Sequence, residues 1–223
     1  MALILGILVT LFLTAAAYIY LVKYYFSGCE IHLTKEVILA LDLKRVVYIA
    51  ISILAGIGLC LAYNLIYSGA LITTQIKLIT LVMLLIPIAV IDYRQYIIPD
   101  IILIAGLALR IIFYIIEFGK EGISTLNTLK YDLIAALVVI LFFVVCMLLI
   151  KNSIGMGDVK LFGLIALYQG LWGVMSSVLF SLFVAFILSV VLMAVKKRGR
   201  KDSIPFGPSI FLGTYITIIL TGI

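Results

Sequence analysis

The sequence has 223 residues, of which 66% are hydrophobic and only 12% are charged. So few polar residues cannot cover a water-exposed body, which excludes a soluble globular protein. The chain is therefore predicted to be an all-α polytopic membrane protein. Its net charge of +6 is interpreted as a signal of membrane orientation and of attraction to membrane lipid, and it requires no nucleic-acid partner.

Apolar stretches of about 20 residues, long enough to cross roughly 30 Å of hydrocarbon, predict the helices in chain order. Six long stretches and two shorter ones predict about eight transmembrane helices, near residues 2–22, 46–66, 72–91, 98–117, 132–150, 158–170, 173–195 and 207–222. The first is expected to be a retained helix, because it lacks the basic leading segment of a cleaved signal. The stretch from Leu161 to Val195 is too long for one crossing, so a turn is predicted near Gly170 and Gly173.

The longest polar connections, 23–45 and 118–131, leave no room for a soluble domain. We therefore expect residues 1–223 to form a single membrane-embedded domain. Within the first connection, the stretch from Leu33 to Leu43 has the pattern of a short interfacial amphipathic helix.

Basic residues mark the cytoplasmic side of a membrane protein, because short loops rich in Lys and Arg stay there. The connections after the first, third, fifth and seventh spans hold Lys23, Lys35, Lys44, Arg45, Arg94, Lys151, Lys160, Lys196, Lys197, Arg198, Arg200 and Lys201. The opposite side has only Lys77, Arg110, Lys120 and Lys130. This asymmetry predicts a multi-pass protein of the inner or plasma membrane with both termini outside.

Two acids lie at the cytoplasmic ends of predicted spans. Asp92 closes the third span, and Asp158 opens the sixth within Gly155-Met156-Gly157-Asp158. A carboxylate at the membrane is costly and is a candidate functional group by default. Since both acids are predicted at the same depth, they are candidates for a dyad in which one carboxylate draws a proton from water and its protonated partner donates to a substrate carbonyl.

The residues around these acids allow structural interpretations as well. Gly155 and Gly157 are interpreted as giving the backbone conformations closed to other residues and letting a peptide approach, although a turn with Asp158 as helix N-cap is the alternative. Asp100 follows Pro99 and is expected to cap or hold the start of the fourth helix. Lys160 either tunes the charge of Asp158, meets a substrate, or extends to the cytoplasmic interface.

Three motifs in order carry a resemblance to a known family. They are Asp92 followed by Ile97-Ile98-Pro99-Asp100, then Gly155-Met156-Gly157-Asp158-Val159-Lys160-Leu161, then Ile204-Pro205-Phe206-Gly207-Pro208. In this order the chain resembles the type IV prepilin peptidases, which are membrane aspartyl proteases of the GxGD type. The third motif itself is most simply interpreted as ending the basic loop and starting the last helix.

The resemblance implies that Asp92 and Asp158 are the catalytic pair. The further candidates for substrate-binding or site-supporting residues are Gly155, Gly157, Lys160, Pro99 and Asp100. It further implies a substrate of the prepilin or pseudopilin type, or a similar competence protein. Its short basic leader would be cut on the cytoplasmic side after a glycine.

The cysteines depart from the pattern of many family members, which carry two CxxC pairs that bind zinc in the first cytoplasmic loop. Here the three cysteines are Cys29, Cys60 and Cys146, and none forms a CxxC. No metal or other cofactor is therefore expected. The second activity of such members, N-methylation from S-adenosylmethionine, stays open.

Two alternatives remain at this point. A presenilin or signal-peptide-peptidase type protease also carries a GxGD, but it cuts inside the helix, whereas Asp92 and Asp158 are predicted at span ends. A proton-coupled transporter would also hold two acids in a helical bundle. Repeated halves and helices broken at the midplane would favour a transporter, and the sequence has neither signature.

Overall fold

The computed structural model describes residues 2–22, 43–67, 69–149, 155–195 and 205–223. Within these ranges the chain forms seven α-helices and no β-strand. The helices are α1 (Ala2–Leu21), α2 (Leu43–Leu65), α3 (Ile72–Gln95), α4 (Asp100–Glu121), α5 (Ser124–Leu149), α6 (Met156–Ala194) and α7 (Gly207–Thr221). Six of them are long and apolar enough to cross a membrane, and α7 is a shorter apolar helix.

The all-helical, multi-pass class is thus confirmed, whereas the count of eight helices is not. The predicted division after residue 170 corresponds to a break inside α6. Gly170 has φ 68° and ψ −173°, a left-handed φ that favours glycine and interrupts the helix. The interfacial helix predicted over 33–43 lies outside the described residues except for Leu43, as do Cys29 and most of the basic connections.

The described helices divide into two compact units, Met1–Pro87 and Ile88–Ile223, so that α3 begins in the first and ends in the second. In the first unit α1 packs against α2, with Gly6 close to Cys60 and Gly56 close to Thr10. In the second unit α6 packs against α5 and α7, and α4 packs against α5 and α6. The single membrane-embedded domain stays a prediction.

Several of the hydroxyl groups within the helices are satisfied locally, as an apolar surrounding requires. Each donates to the carbonyl oxygen four residues earlier in its own helix. Helical hydroxyls that do so belong to Thr10, Thr14, Ser52, Thr80, Ser181 and Thr217. These polar residues therefore need no aqueous cavity.

The predicted polar connection over 118–131 is wrong, because α4 and α5 are separated only by Gly122 and Ile123. The polar residues over 118–131 are of types common in loops, but in the structure they belong to the two helices. Gly122 ends α4 with φ 63°, and the Ser124 hydroxyl donates to the Glu121 carbonyl oxygen. The two helices form a tight hairpin.

The hairpin contains two buried acids, Glu117 and Asp132. Both pair with Arg110, whose side chain is fully buried. Arg110 Nη1 donates to Glu117 at 3.1 Å, and Nη2 donates to Asp132 at 2.8 Å. Its Nε donates to the Leu167 carbonyl oxygen at 2.7 Å. Leu167 lies just before the break at Gly170, where a helix end leaves carbonyls without helical partners. Arg110 therefore joins the α4–α5 hairpin to the end of the first α6 segment.

We predict that Arg110→Met lowers the free energy of unfolding by about 3–5 kcal/mol, because it leaves two buried carboxylates without their cation, and Asp132 keeps only the hydrogen bond from the Tyr114 hydroxyl. Thermal unfolding in detergent would measure this. The matched control is Lys160→Met, which removes the exposed pair with Asp100 and should cost less than about 1 kcal/mol. Equal unfolding temperatures for Arg110→Met and the wild type would contradict the structural role of the buried cluster.

Candidate active site

Asp92 lies in the last turn of α3, and it is only 6% exposed. Its Oδ2 accepts a hydrogen bond of 2.7 Å from the Gly207 backbone N–H, and the Phe206 backbone N–H also donates to the carboxylate. Gly207 begins α7, so the carboxylate lies at the positive end of that helix. The start of α7 therefore provides the buried charge with donors that water cannot supply there.

Gly207 is required at this position by space. A Cβ atom on residue 207 would lie 2.8 Å from the Asp92 Cβ and 2.9 Å from its Oδ2. Non-bonded carbon and oxygen atoms at these distances repel each other, so one of them must move. Any side chain at 207 would therefore displace the carboxylate from its backbone donors.

Asp158 lies in the first turn of α6, which begins after Gly155. The N-cap residue is Gly155, so the interpretation of Asp158 as the N-cap is wrong. The Asp158 carboxylate instead accepts a hydrogen bond from the Gly155 backbone N–H. An acidic side chain in the first turn of a helix can accept a hydrogen bond from the backbone N–H of the N-cap residue. This interaction holds the carboxylate at the helix start.

The two glycines of the second motif act through space and not through backbone conformation. Gly155 has φ −73°, and neither Gly155 nor Gly157 has a positive φ, so the predicted need for special conformations is wrong. A Cβ on Gly157 would lie 3.0 Å from the Ile98 Cβ, and one on Gly155 would lie 3.2 Å from the Asp158 Oδ2. The glycines thus let the first motif pack closely on the second and leave room for the carboxylate.

A further contact between these motifs is an ion pair. Lys160 Nζ donates to Asp100 Oδ1 at 2.8 Å, and both side chains are more than half exposed. Pro99 occupies the N-cap position of α4, so Asp100 is the first residue of the helix. Asp100 therefore does not cap the helix; it holds the start of α4 against α6 through Lys160.

The carboxylates of Asp92 and Asp158 lie near enough for their charges to interact. The third motif contributes the Phe206 ring as well as the backbone donors to Asp92. The centroid of the Phe206 ring lies 6.0 Å from the centroid of the Phe162 ring. Phe162 in turn stacks on Phe143 of α5 at 4.9 Å. All three motifs therefore meet at one end of the second unit, and aromatic side chains pack behind them.

The described part of the site is built to hold two acids. In the part of the chain that the structure describes, no group of three or more His, Cys, Asp and Glu side chains is placed to hold a metal ion. Cys29 and His32 lie outside the described residues. The chemistry available to the described site is proton transfer by carboxyl groups.

The contribution of Phe206 and Gly207 to the site was not predicted from the sequence, where these residues were assigned to starting the last helix. Their contribution to Asp92 comes from backbone N–H groups, which leave no side-chain signature. One signal was present, since the Gly207-Pro208 pair marks a helix start, and the free backbone N–H groups of a helix start can bind an anion.

A family model described as the type IV leader peptidase family matches residues 78–193, just over half of the chain. The match contains Asp92, Asp100 and Asp158, whereas Phe206 and Gly207 lie beyond its end. Neither a curated protein nor a solved structure matches the chain. The apolar helices and the family match together define a multi-pass membrane peptidase. The chain belongs to the type IV leader peptidase family, as its motifs predict.

We predict that Gly207→Ala lowers peptidase activity by about tenfold or more, because the added methyl group displaces the Asp92 carboxylate. Initial rates on a leader-bearing substrate would measure this. The matched control is Gly119→Ala on α4, since no atom lies within 4 Å of a Cβ built there. If Gly207→Ala cleaves at the rate of Gly119→Ala, the contact between Gly207 and Asp92 has no part in the reaction.

Proposed function

We propose that this protein is an aspartic endopeptidase that removes the short basic leader of a type IV prepilin, a pseudopilin or a prepilin-like competence protein. The observation that carries the proposal is the meeting of Asp92 and Asp158 at one end of the second unit, each held by backbone N–H groups. Family membership supports the peptidase class. The aspartic mechanism rests on the pair itself.

The reaction is the addition of water to a peptide bond without a covalent intermediate. An ionised carboxylate takes a proton from water as the water oxygen attacks the carbonyl carbon, and the protonated partner donates its proton to the carbonyl oxygen. Collapse of the resulting diol breaks the C–N bond: the leaving nitrogen takes the proton that the base removed from water, and a hydroxyl of the diol returns a proton to the other carboxylate. Like-charge repulsion between two close carboxyls favours this shared single proton.

The two carboxyls differ in their hydrogen bonds, and this difference assigns their roles. Asp92 accepts a hydrogen bond of 2.7 Å from the Gly207 backbone N–H, and the Phe206 N–H also favours its ionised form, whereas Asp158 has the Gly155 N–H beside it. Donors of this kind stabilise a negative charge. Asp92 is therefore assigned as the base that activates water, and Asp158 as the acid that holds the proton.

The position of the pair supports cleavage at a membrane surface. Asp92 is in the last turn of α3 and Asp158 is in the first turn of α6, so both lie at helix ends. An enzyme that cuts within a transmembrane helix would need acids at mid-membrane depth. The basic connections favour placing this end of the protein on the cytoplasmic side of the inner or plasma membrane, with both termini outside.

The proposed reaction requires no metal and no organic cofactor. Among the described residues no three His, Cys, Asp or Glu side chains are grouped to hold a metal ion, and the sequence offers no CxxC pair for zinc. S-adenosylmethionine would be needed only if the protein also methylates the new amino terminus. The partners are the leader-bearing protein and membrane lipid, with no nucleic acid.

We expect Asp92→Asn and Asp158→Asn each to lower leader cleavage by about 10²–10⁴-fold or more, because either change removes a proton-transfer group. Both variants should still insert in the membrane. Asp100→Asn keeps both proposed catalytic carboxyls and should stay within a few-fold of the wild type. Near-normal cleavage by Asp92→Asn, measured with a purified prepilin in detergent, would show that the pair is assigned wrongly.

The proposed orientation predicts a labelling pattern in a cysteine-free background. Single cysteines at Ser153 and Ser203 should react with an impermeant thiol reagent only after cells are opened, because these connections are basic. Cysteines at Ser68 and Ser124 should react in intact cells. Labelling of Ser153→Cys from outside would place the acids in the wrong compartment for cutting a leader before export.

A further inference from the structure

Gln169 is a buried polar residue that belongs neither to the proposed catalytic pair nor to the Arg110 cluster. It is the last residue before the break at Gly170, and only 7% of it is exposed. Its Nε2 donates to the Ile223 carbonyl oxygen at 2.9 Å, and its Oε1 accepts from the Ser177 hydroxyl at 2.7 Å. One amide therefore joins the first segment of α6 to the second segment and to the chain just beyond the end of α7.

Gly173 leaves the space for this side chain. A Cβ atom on residue 173 would lie 2.6 Å from the Gln169 Cβ, a distance at which non-bonded carbon atoms repel each other. Gly170 provides the left-handed φ of the break, and Gly173, three residues later, provides room for the buried amide. The two glycines that predicted a turn therefore have different physical reasons, and the second reason is Gln169.

Gln169 and Ile223 lie at the far ends of two helical segments that both begin at the proposed catalytic pair. The first segment of α6 carries Asp158 in its first turn, and Gly207, the first residue of α7, donates to Asp92. Each segment rises by about 20 Å from this end. Because the two segments have nearly the same length, the hydrogen bond at their far ends connects them opposite the acids.

This hydrogen bond restrains the tilt and the register of the two segments. The backbone break at Gly170 interrupts the helical hydrogen bonds of α6, so side-chain contacts must hold the angle between its two segments. Without the contact to Ile223, the start of α7 can shift relative to the start of α6. Such a shift moves the backbone donors of α7 relative to both acids, and a misplacement of about 1 Å can cost about 10²-fold in rate.

Resting on the proposed function, we propose that Gln169 is a positioning residue for leader cleavage. It touches neither acid and acts through the two segments whose first turns hold Asp92 and Asp158. The Ser177 hydroxyl orients the amide, because its bond to Oε1 turns Nε2 toward the Ile223 carbonyl oxygen. Gln169 therefore affects the alignment of the pair, which determines kcat, and leaves the contacts that bind the substrate unchanged.

Gln169→Met removes both hydrogen bonds and keeps a side chain of similar length. It should lower kcat for a leader-bearing substrate by about tenfold with little change in KM, because alignment is lost while substrate contacts remain. Gly173→Ala displaces the amide without removing it and should have the same effect. The matched control is Thr217→Val on α7, whose hydroxyl donates to the Gly213 carbonyl oxygen within the same helix. Its kcat should stay within about twofold of the wild type.

Combination with Gly207→Ala separates positioning from a general loss of stability. If Gln169 acts by holding the α7 donors against Asp92, Gln169→Met should lower kcat little further once Gly207→Ala has displaced that carboxylate. A further loss of about tenfold in the Gly207→Ala background would overturn the positioning role. A wild-type kcat for Gln169→Met alone would overturn it as well.

A second measurement does not depend on cleavage. Hydrogen exchange at the Gly207 amide, followed by mass spectrometry in detergent, should be about tenfold faster in Gln169→Met than in the wild type or in Thr217→Val. Equal exchange in the three proteins would contradict the role of Gln169 in holding the start of α7. If the wild type cuts no leader-bearing substrate, the proposed function fails, and the exchange rates still decide whether Gln169 holds this helix end.

Discussion

The cost of holding a carboxylate away from water is the constraint on which the second unit depends. Asp92 is almost fully buried, and its charge is stabilised by the backbone N–H groups at the start of α7. This requirement joins the end of α3 to the start of α7, residues that are 115 positions apart. It also excludes a side chain at Gly207. One buried charge thus fixes the positions of two helix ends and the identity of a residue on the second.

The same constraint operates at the other buried charges of this unit. Arg110 pairs with Glu117 and Asp132 and also donates to the Leu167 carbonyl oxygen, next to the break in α6. The first segment of α6 is therefore held at one end by Arg110 and carries Asp158 at the other. In this way the buried cluster contributes to the rigidity of the helix that positions a proposed catalytic acid. The proposed catalytic acid and the buried ion-pair cluster therefore lie at opposite ends of one short helical segment.

The sequence was most informative where a charge interrupts an apolar run. Asp92 and Asp158 were found because an acid at the end of a membrane helix has few structural explanations, and the ordered motifs around them predicted the family. The sequence misled where polar residues pair with each other. Polar residues over 118–131 were assigned to a connection, although they are helical, and the pairing of the nearby acids Glu117 and Asp132 with Arg110 is not visible in hydropathy.

Backbone contributions were the hardest to predict. The donors at Phe206 and Gly207 depend on where α7 begins relative to the end of α3, and sequence periodicity does not contain that distance. The sequence singled out the two glycines of the second motif, but it did not show why a side chain is excluded at these positions. The close contacts with Ile98 and Asp158 form only once the helices are packed. The break at Gly170 was located because two glycines interrupt an apolar stretch too long for one crossing.

Asp92 and Asp158 are proposed to act together on one peptide bond. The most direct measurement is an experimental structure of the protein with a leader peptide whose scissile amide is replaced by a hydroxyethylene group, which mimics the diol. We expect the hydroxyl oxygen to lie within about 3 Å of a carboxylate oxygen of both acids. A hydroxyl bound to only one of them, or to neither, would contradict this proposal.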